Sequence, residues 1–243
     1  MSVLLLRLAG PMQSWGTQSR FSVRDTGLEP SKSGVIGLLC AALGRRRHEP
    51  VDDLAALRMG VRVDREGRLS RDYQTVGGEH RPGSVRGFDA KGRPLHYGVL
   101  KADGSGVTPV TSSRYYLADA EFLVGLEGDR PLLETLDRAL IMPRWPLYLG
   151  RKAFVPSLPV RVAPPVDGSL RQVLEEYPWR KRRRGDQPQE KRLRLVLEVS
   201  PGESNDVRYD VPLNFAERTF TLRYVRVDFT KEWPPLEDDP CCI

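Results

Sequence analysis

From residue 77 to residue 109 the chain offers little that can fill a core. The stretch is rich in Gly, Pro, Arg and Lys and carries turn signals at Arg81-Pro82-Gly83, Ala90-Lys91-Gly92 and Asp103-Gly104. A structureless loop of that length inside a compact domain is uncommon, and is usually functional or disordered. Its flanks favour a projecting β-hairpin arm, an insertion at about 77–110, because residues 73–76 and 112–117 alternate well enough to form a stem. The rest of the chain must therefore fold around an insertion.

Before the arm, Val3-Leu4-Leu5-Leu6-Arg7-Leu8 is short, apolar and stopped by Ala9-Gly10-Pro11, the pattern of a buried strand running into a turn. A helix is expected over 33–43, with Ser31 and Ser33 as N-cap types, an apolar face from Val35 to Leu43, and Gly44 at the C-cap. A shorter helix is expected over 51–57, with Asp52 and Asp53 near its positive end. Val61 and Val63 alternate with Arg62 and Asp64 as in a strand. After the arm come a core strand over 121–126 and a helix over 131–140 with Pro131 near N1.

Strand, helix, strand, arm, strand and helix make most of a βαββαβ unit. The expected fold is α+β: a ferredoxin-like domain over 1–145, of the RNA-recognition-motif type, with the arm as a thumb. A smaller, mainly β region follows over 146–243, with strands at 193–199, 208–213 and 220–229. Its loop at about 180–191 opens on Arg180-Lys181-Arg182-Arg183-Arg184, and five adjacent like charges favour a solvated loop.

Composition narrows the function. The 243 residues are 40% hydrophobic and 29% charged, which excludes a wholly disordered chain. No apolar run approaches the ~20 residues that cross a bilayer, and a soluble, cytoplasmic protein without a membrane partner is expected. Three cysteines (Cys40, Cys241, Cys242) cannot build a disulfide framework, and no Cys/His spacing suits zinc, so neither a metal nor a cofactor is expected. A net charge of +6 suits a polyanionic partner.

Four segments could receive such a partner. Gly10-Pro11-Met12-Gln13-Ser14-Trp15-Gly16, followed by Arg20 and Arg24, leaves a core strand. Trp15 either stacks on a base or anchors the core, Gln13 is placed to bond a base edge or phosphate, and Gly16 permits close backbone approach. Ser31, Lys32 and Ser33 open the first helix, where free N–H groups bind anions, although plain capping explains the serines equally well. Tyr148-Leu149-Gly150-Arg151-Lys152 reads as a phosphate-gripping turn. Arg180 to Arg184 is either a non-specific phosphate contact or an exposed loop that adds solubility, whereas Arg45-Arg46-Arg47 is better explained by the helix dipole. His48, His80 and His96 are scattered and no nucleophile or paired-carboxylate motif appears, so the residues favour a binding module over an enzyme.

Three of these blocks carry a family likeness. Leu4 to Gly16, then Thr26-Gly27 with Pro30-Ser31-Lys32-Ser33-Gly34-Val35-Ile36-Gly37-Leu38-Leu39, then Tyr148 to Lys152, resemble the CasD family of type I-E CRISPR Cascade subunits, within the RAMP superfamily. The first two blocks are specific, and the remainder fits by order and length.

The resemblance implies an RNA-binding, non-catalytic subunit that grips the 5′ handle of crRNA and caps one end of the Cascade filament in antiviral defence. It implies a thumb packed against the backbone subunit CasC, the large subunit CasA nearby, and target DNA reached through the complex. Gln13, Trp15, Lys32, Ser33, Gly150, Arg151 and Lys152 are the residues so assigned to the handle, with Arg81, Arg86 and Arg114 at the thumb and its base. In such systems a separate endonuclease, CasE, cuts the precursor. The rival reading is a metal-independent endoribonuclease of the same superfamily, with His80 or His96 as base.

Overall fold

The computed structural model describes residues 1–16, 22–76, 87–88, 90–92, 94–95, 99–100, 107–181 and 192–237. In chain order the elements are β1 (Ser2–Ala9), β2 (Met12–Gln13), β3 (Val23–Arg24), α1 (Lys32–Leu43), α2 (Asp52–Ala55), β4 (Arg58–Arg65) and β5 (Arg68–Val76). Two short ladders follow, β6 (Gly87–Phe88) with β7 (Pro94–Leu95) and β8 (Val99–Leu100) with β9 (Val107–Thr108). Then come β10 (Val110–Ala118), β11 (Glu121–Gly128), α3 (Arg130–Ile141), β12 (Val166–Asp167), α4 (Leu170–Glu176) and β13 (Trp179–Arg180). The last are β14 (Arg194–Glu198), β15 (Asp206–Asn214), β16 (Thr219–Phe229) and β17 (Leu236–Glu237).

The main sheet has seven strands in the order β12-β1-β11-β4-β14-β16-β15. It explains why β1 is apolar almost throughout: alternate side chains of a strand face opposite sides, and here both sides are covered. Leu4, Leu6 and Leu8 enter the larger core with α1 and α3, whereas Val3 and Leu5 enter a second core with α4. The fold is therefore α+β and sheet-dominated.

Two expectations change. The strands of the last third do not form a sheet of their own. β14 pairs antiparallel with β4, Arg194 opposite Val63 through Leu197 opposite Gly60, so they prolong the first region's sheet. Without them β4 would be a bare edge, its row of unpaired backbone N–H and C=O groups open to another chain. The helix α4 was not expected. Ser169 caps it by accepting from the Gln172 amide, and Arg62, fully buried, donates to the carbonyls of Leu174, Tyr177 and Pro178 at its far end.

The strands that flank residues 77–109, β5 and β10, pair over nine positions, from Val76 opposite Val110 to Arg68 opposite Ala118. On its other edge β10 carries β2 antiparallel and β3 parallel. Arg20, Arg81, Arg86, His80, His96, Arg182 to Arg184, Cys241 and Cys242 lie outside the described residues. Arg180, expected in a solvated loop, lies in β13 and reaches the Glu121 carboxylate at 3.4 Å. Among the described residues no helix is long and apolar enough to cross a membrane.

Candidate functional site

The three blocks picked out in the sequence converge. β1 ends at Ala9, and the chain leaving β2 brings Ser14 and Trp15 over the start of α1. Gly34, in the first turn of α1, leaves room for the indole: a Cβ there would come within 2.8 Å of Trp15 Cε3. The Trp15 amide donates to Thr26 Oγ1 at 2.9 Å and its carbonyl accepts from Gly27, which ties in the second block. The third block meets the first through Ser14 N donating to the Leu149 carbonyl at 3.1 Å. Gly150 then passes so close that a Cβ would sit 1.6 Å from the Ser14 carbonyl oxygen.

Between these loops lies a cleft of about 250 Å³, walled by Trp15, Gly16, Ser33, Gly150, Phe215 and Phe220 among others, with Arg24 and Arg151 on its rim. The parallel pairing of β3 with β10 makes Arg24 and Arg114 register partners. Arg151 reaches the same place by donating to the Tyr115 carbonyl at 2.9 Å and the Arg24 carbonyl at 3.3 Å, its guanidinium 5.5 Å from the Phe154 ring centre. Burial first, and then the like charge of Arg114, holds Arg151 below its ordinary pKa, with Arg24 adding to the effect and Asp72 and Asp25 opposing it. Three guanidiniums so placed make a field that an anion would relieve.

Several residues singled out in the sequence do other work. Gln13 is fully buried, donating to the carbonyls of Leu8 and Ala120 at 2.9 Å each and accepting from Trp15 Nε1 at 3.2 Å, so its amide already has its partners inside the protein. Trp15 is 1% exposed and anchors the core instead of offering a face for stacking. Lys32 is also buried: its Nζ donates to both oxygens of Glu198 at 2.8 and 2.9 Å, and its amide donates to Asp210 at 2.8 Å. The anion expected at this helix start is thus supplied by the protein's own carboxylates. Burial outweighs Glu198 in setting the Lys32 pKa, which lies below its ordinary value. Ser31 is the N-cap, accepting from the Gly34 amide.

Trp15, Gly16, Arg24, Ser31, Ser33, Gly150 and Arg151 do share one cleft. Lys152 is exposed one step further along the loop, and Tyr148 is half-buried one step before it. Sequence reasoning missed Ser14, Asp25, Gly34 and the pair Phe215 and Phe220, which arrive from the β15–β16 turn. Two phenylalanines bracketing a tight polar turn, Asn214 to Phe220, were the available signal.

The chain is thus an α+β sheet protein whose glycine loops frame a cationic cleft. The family model of CRISPR-associated protein (Cas_Cas5) matches residues 3–226, and the chain belongs to that family. It is 35% identical over 167 residues to the CRISPR system Cascade subunit CasD of Escherichia coli (strain K12), covering 63% of this chain and 66% of that one. Among solved structures, a crystal structure of a Cas protein is 45% identical with a TM-score of 0.71, covering 96% of this chain and 98% of that one. A chain of a CRISPR RNA-guided surveillance complex is 37% identical with a TM-score of 0.75, covering 96% and 91%. Within that family the chain is similar to Cascade subunits of the CasD type.

Proposed function

We propose that this chain is the non-catalytic RNA-binding subunit that holds the 5′ handle of crRNA and caps the Cascade backbone filament. The observation that carries the reading is the cluster of Arg24, Arg114 and Arg151 beside the cleft, whose wall includes the exposed Gly16. Phosphate contacts of this kind fix the position of a strand, and half-open pockets take its unstacked bases. The order β12-β1-β11-β4, with α1 between β1 and β4 and α3 between β11 and β12, supports a ferredoxin-like unit. The β5–β10 stem supports a thumb directed at CasC, with CasA docked nearby and target DNA met only through the assembled complex. A cytoplasmic location goes with that role.

The test uses end-labelled repeat RNA with the purified chain, with and without the backbone subunit, at two salt concentrations and with EDTA present. Salt-sensitive retention of an intact handle, strengthened by the backbone subunit, is the expected result. A new discrete 5′ end persisting in EDTA would overturn it in favour of a metal-independent processing nuclease.

A further inference from the structure

The cationic cleft also has an aromatic side. Phe215, just after β15, and Phe220, the second residue of β16, both line the cleft that Arg24 and Arg151 line. The turn that carries them is fixed. Asn214 Oδ1 accepts from the amides of Ala216 and Glu217 at 2.8 and 3.1 Å, and Asn214 pairs with Thr219 across the ladder.

The two rings differ in what holds them. Phe215 rests on α1, where a Cβ at Gly37 would meet its Cζ at 3.9 Å, and it packs partly against the larger core. Phe220 is half-buried and, among the described residues, belongs to neither core. Core packing therefore accounts for the first ring and leaves the second unexplained. Trp15, on the same wall, is 1% exposed and has no face to offer.

A half-exposed ring in a cleft lined by cations suits a ligand that carries a flat apolar face and an anion together. A nucleotide is such a ligand: its phosphate meets guanidiniums and its base lies on an aromatic ring. A small anion or an acidic peptide would use the arginines and leave the phenylalanines idle. We infer that Phe220, backed by Phe215, is the platform on which one base of the bound RNA stacks, while Arg24, Arg114 and Arg151 hold the adjoining phosphates. Phenylalanine has no polar atom with which to read a base edge, so the platform fixes where a base lies without selecting which base. Its hydrogen-bonded turn sets the rings in place beforehand, which lowers the ordering cost of binding. The assignment rests on the RNA-binding reading above.

The experiment measures the affinity of the full chain, native and Phe220→Leu, for 5′-handle RNA in which each nucleotide in turn is made abasic. One abasic position should cost the native chain about tenfold, the worth of one base–aromatic stack. Phe220→Leu should bind the intact RNA about tenfold more weakly and lose nothing more at that one position. Its slope of log K against log salt should stay native, because no phosphate contact has gone. Phe220→Trp should bind as the native chain does. On the native chain, 5-iodouridine at that position should photo-crosslink to Phe220 or Phe215, a readout that decides should Phe220→Leu fail to fold. Abasic costs that are absent or that add fully to the Phe220→Leu loss, or crosslinks that fall elsewhere, would overturn the platform and leave the RNA-binding reading standing. No binding of intact RNA by the native chain would overturn both.

Discussion

At Gly150 the backbone runs at φ +87°, and the space a side chain would need is taken by the Ser14 carbonyl. Alanine there must both adopt a disfavoured conformation and push two loops apart. We predict that Gly150→Ala lowers stability by at least ~2 kcal/mol, read as a lower urea midpoint at unchanged slope, and weakens RNA retention. Cys40 gives a second residue-scale prediction. Burial pushes its thiol up to about 11, so in a Cys241→Ser, Cys242→Ser background it should resist thiol reagents at pH 8 until the chain unfolds. A third concerns acid. Arg45 donates to both Asp53 oxygens at 2.6 and 2.5 Å, and that hydrogen bonding holds the carboxyl below its ordinary 3.8. The folded state therefore keeps its charge to lower pH than the unfolded chain. The contribution is present above pH 3.8 and fades as pH falls through the lower folded value. Arg45→Met should flatten that part of the acid unfolding curve.

Elements differ in how much of them the sequence displayed. α1 was legible because its signals are local: Ser31 caps it, Gly44 closes it at φ +78°, and both are residue types chosen for those jobs. The pairing of β5 with β10 was legible from alternation, although its nine-position register was not. What local pattern could not display was pairing across the chain. β14 joins β4 from far along the sequence, and α4 is held by Arg62, a residue that in the sequence looks like one solvent-facing charge in an alternating strand. The same limit governs the site. Gln13, Trp15 and Lys32 belong to the right blocks, but nothing nearby in sequence says that Ala120, Glu198 and Asp210 will bury them. Substituting Arg62 should release the end of α4: Arg62→Leu leaves Asp64 and three carbonyls without their donor and should cost about 3 kcal/mol, measured by chemical denaturation.

For the whole molecule, the extended sheet is what gives the site its rigidity. Lys32, Glu198, Asp210 and Arg223 link the start of α1 to β14, β15 and β16, so the strands of the last third brace the cleft built by the first. A subunit that holds one short RNA end in a fixed shape needs such a brace, since a cleft that has to form on binding gives up affinity in ordering it. Under the proposed role Arg24 and Arg114 meet phosphates of the handle, and salt weighs those contacts. The most direct measurement compares handle affinity across a salt series for the native chain and the Arg24→Ala, Arg114→Ala double variant. The slope of log K against log salt should be shallower in the variant by about 1.4, or ~0.7 for each lost contact with a single strand. An unchanged slope, with the RNA still bound, would contradict it.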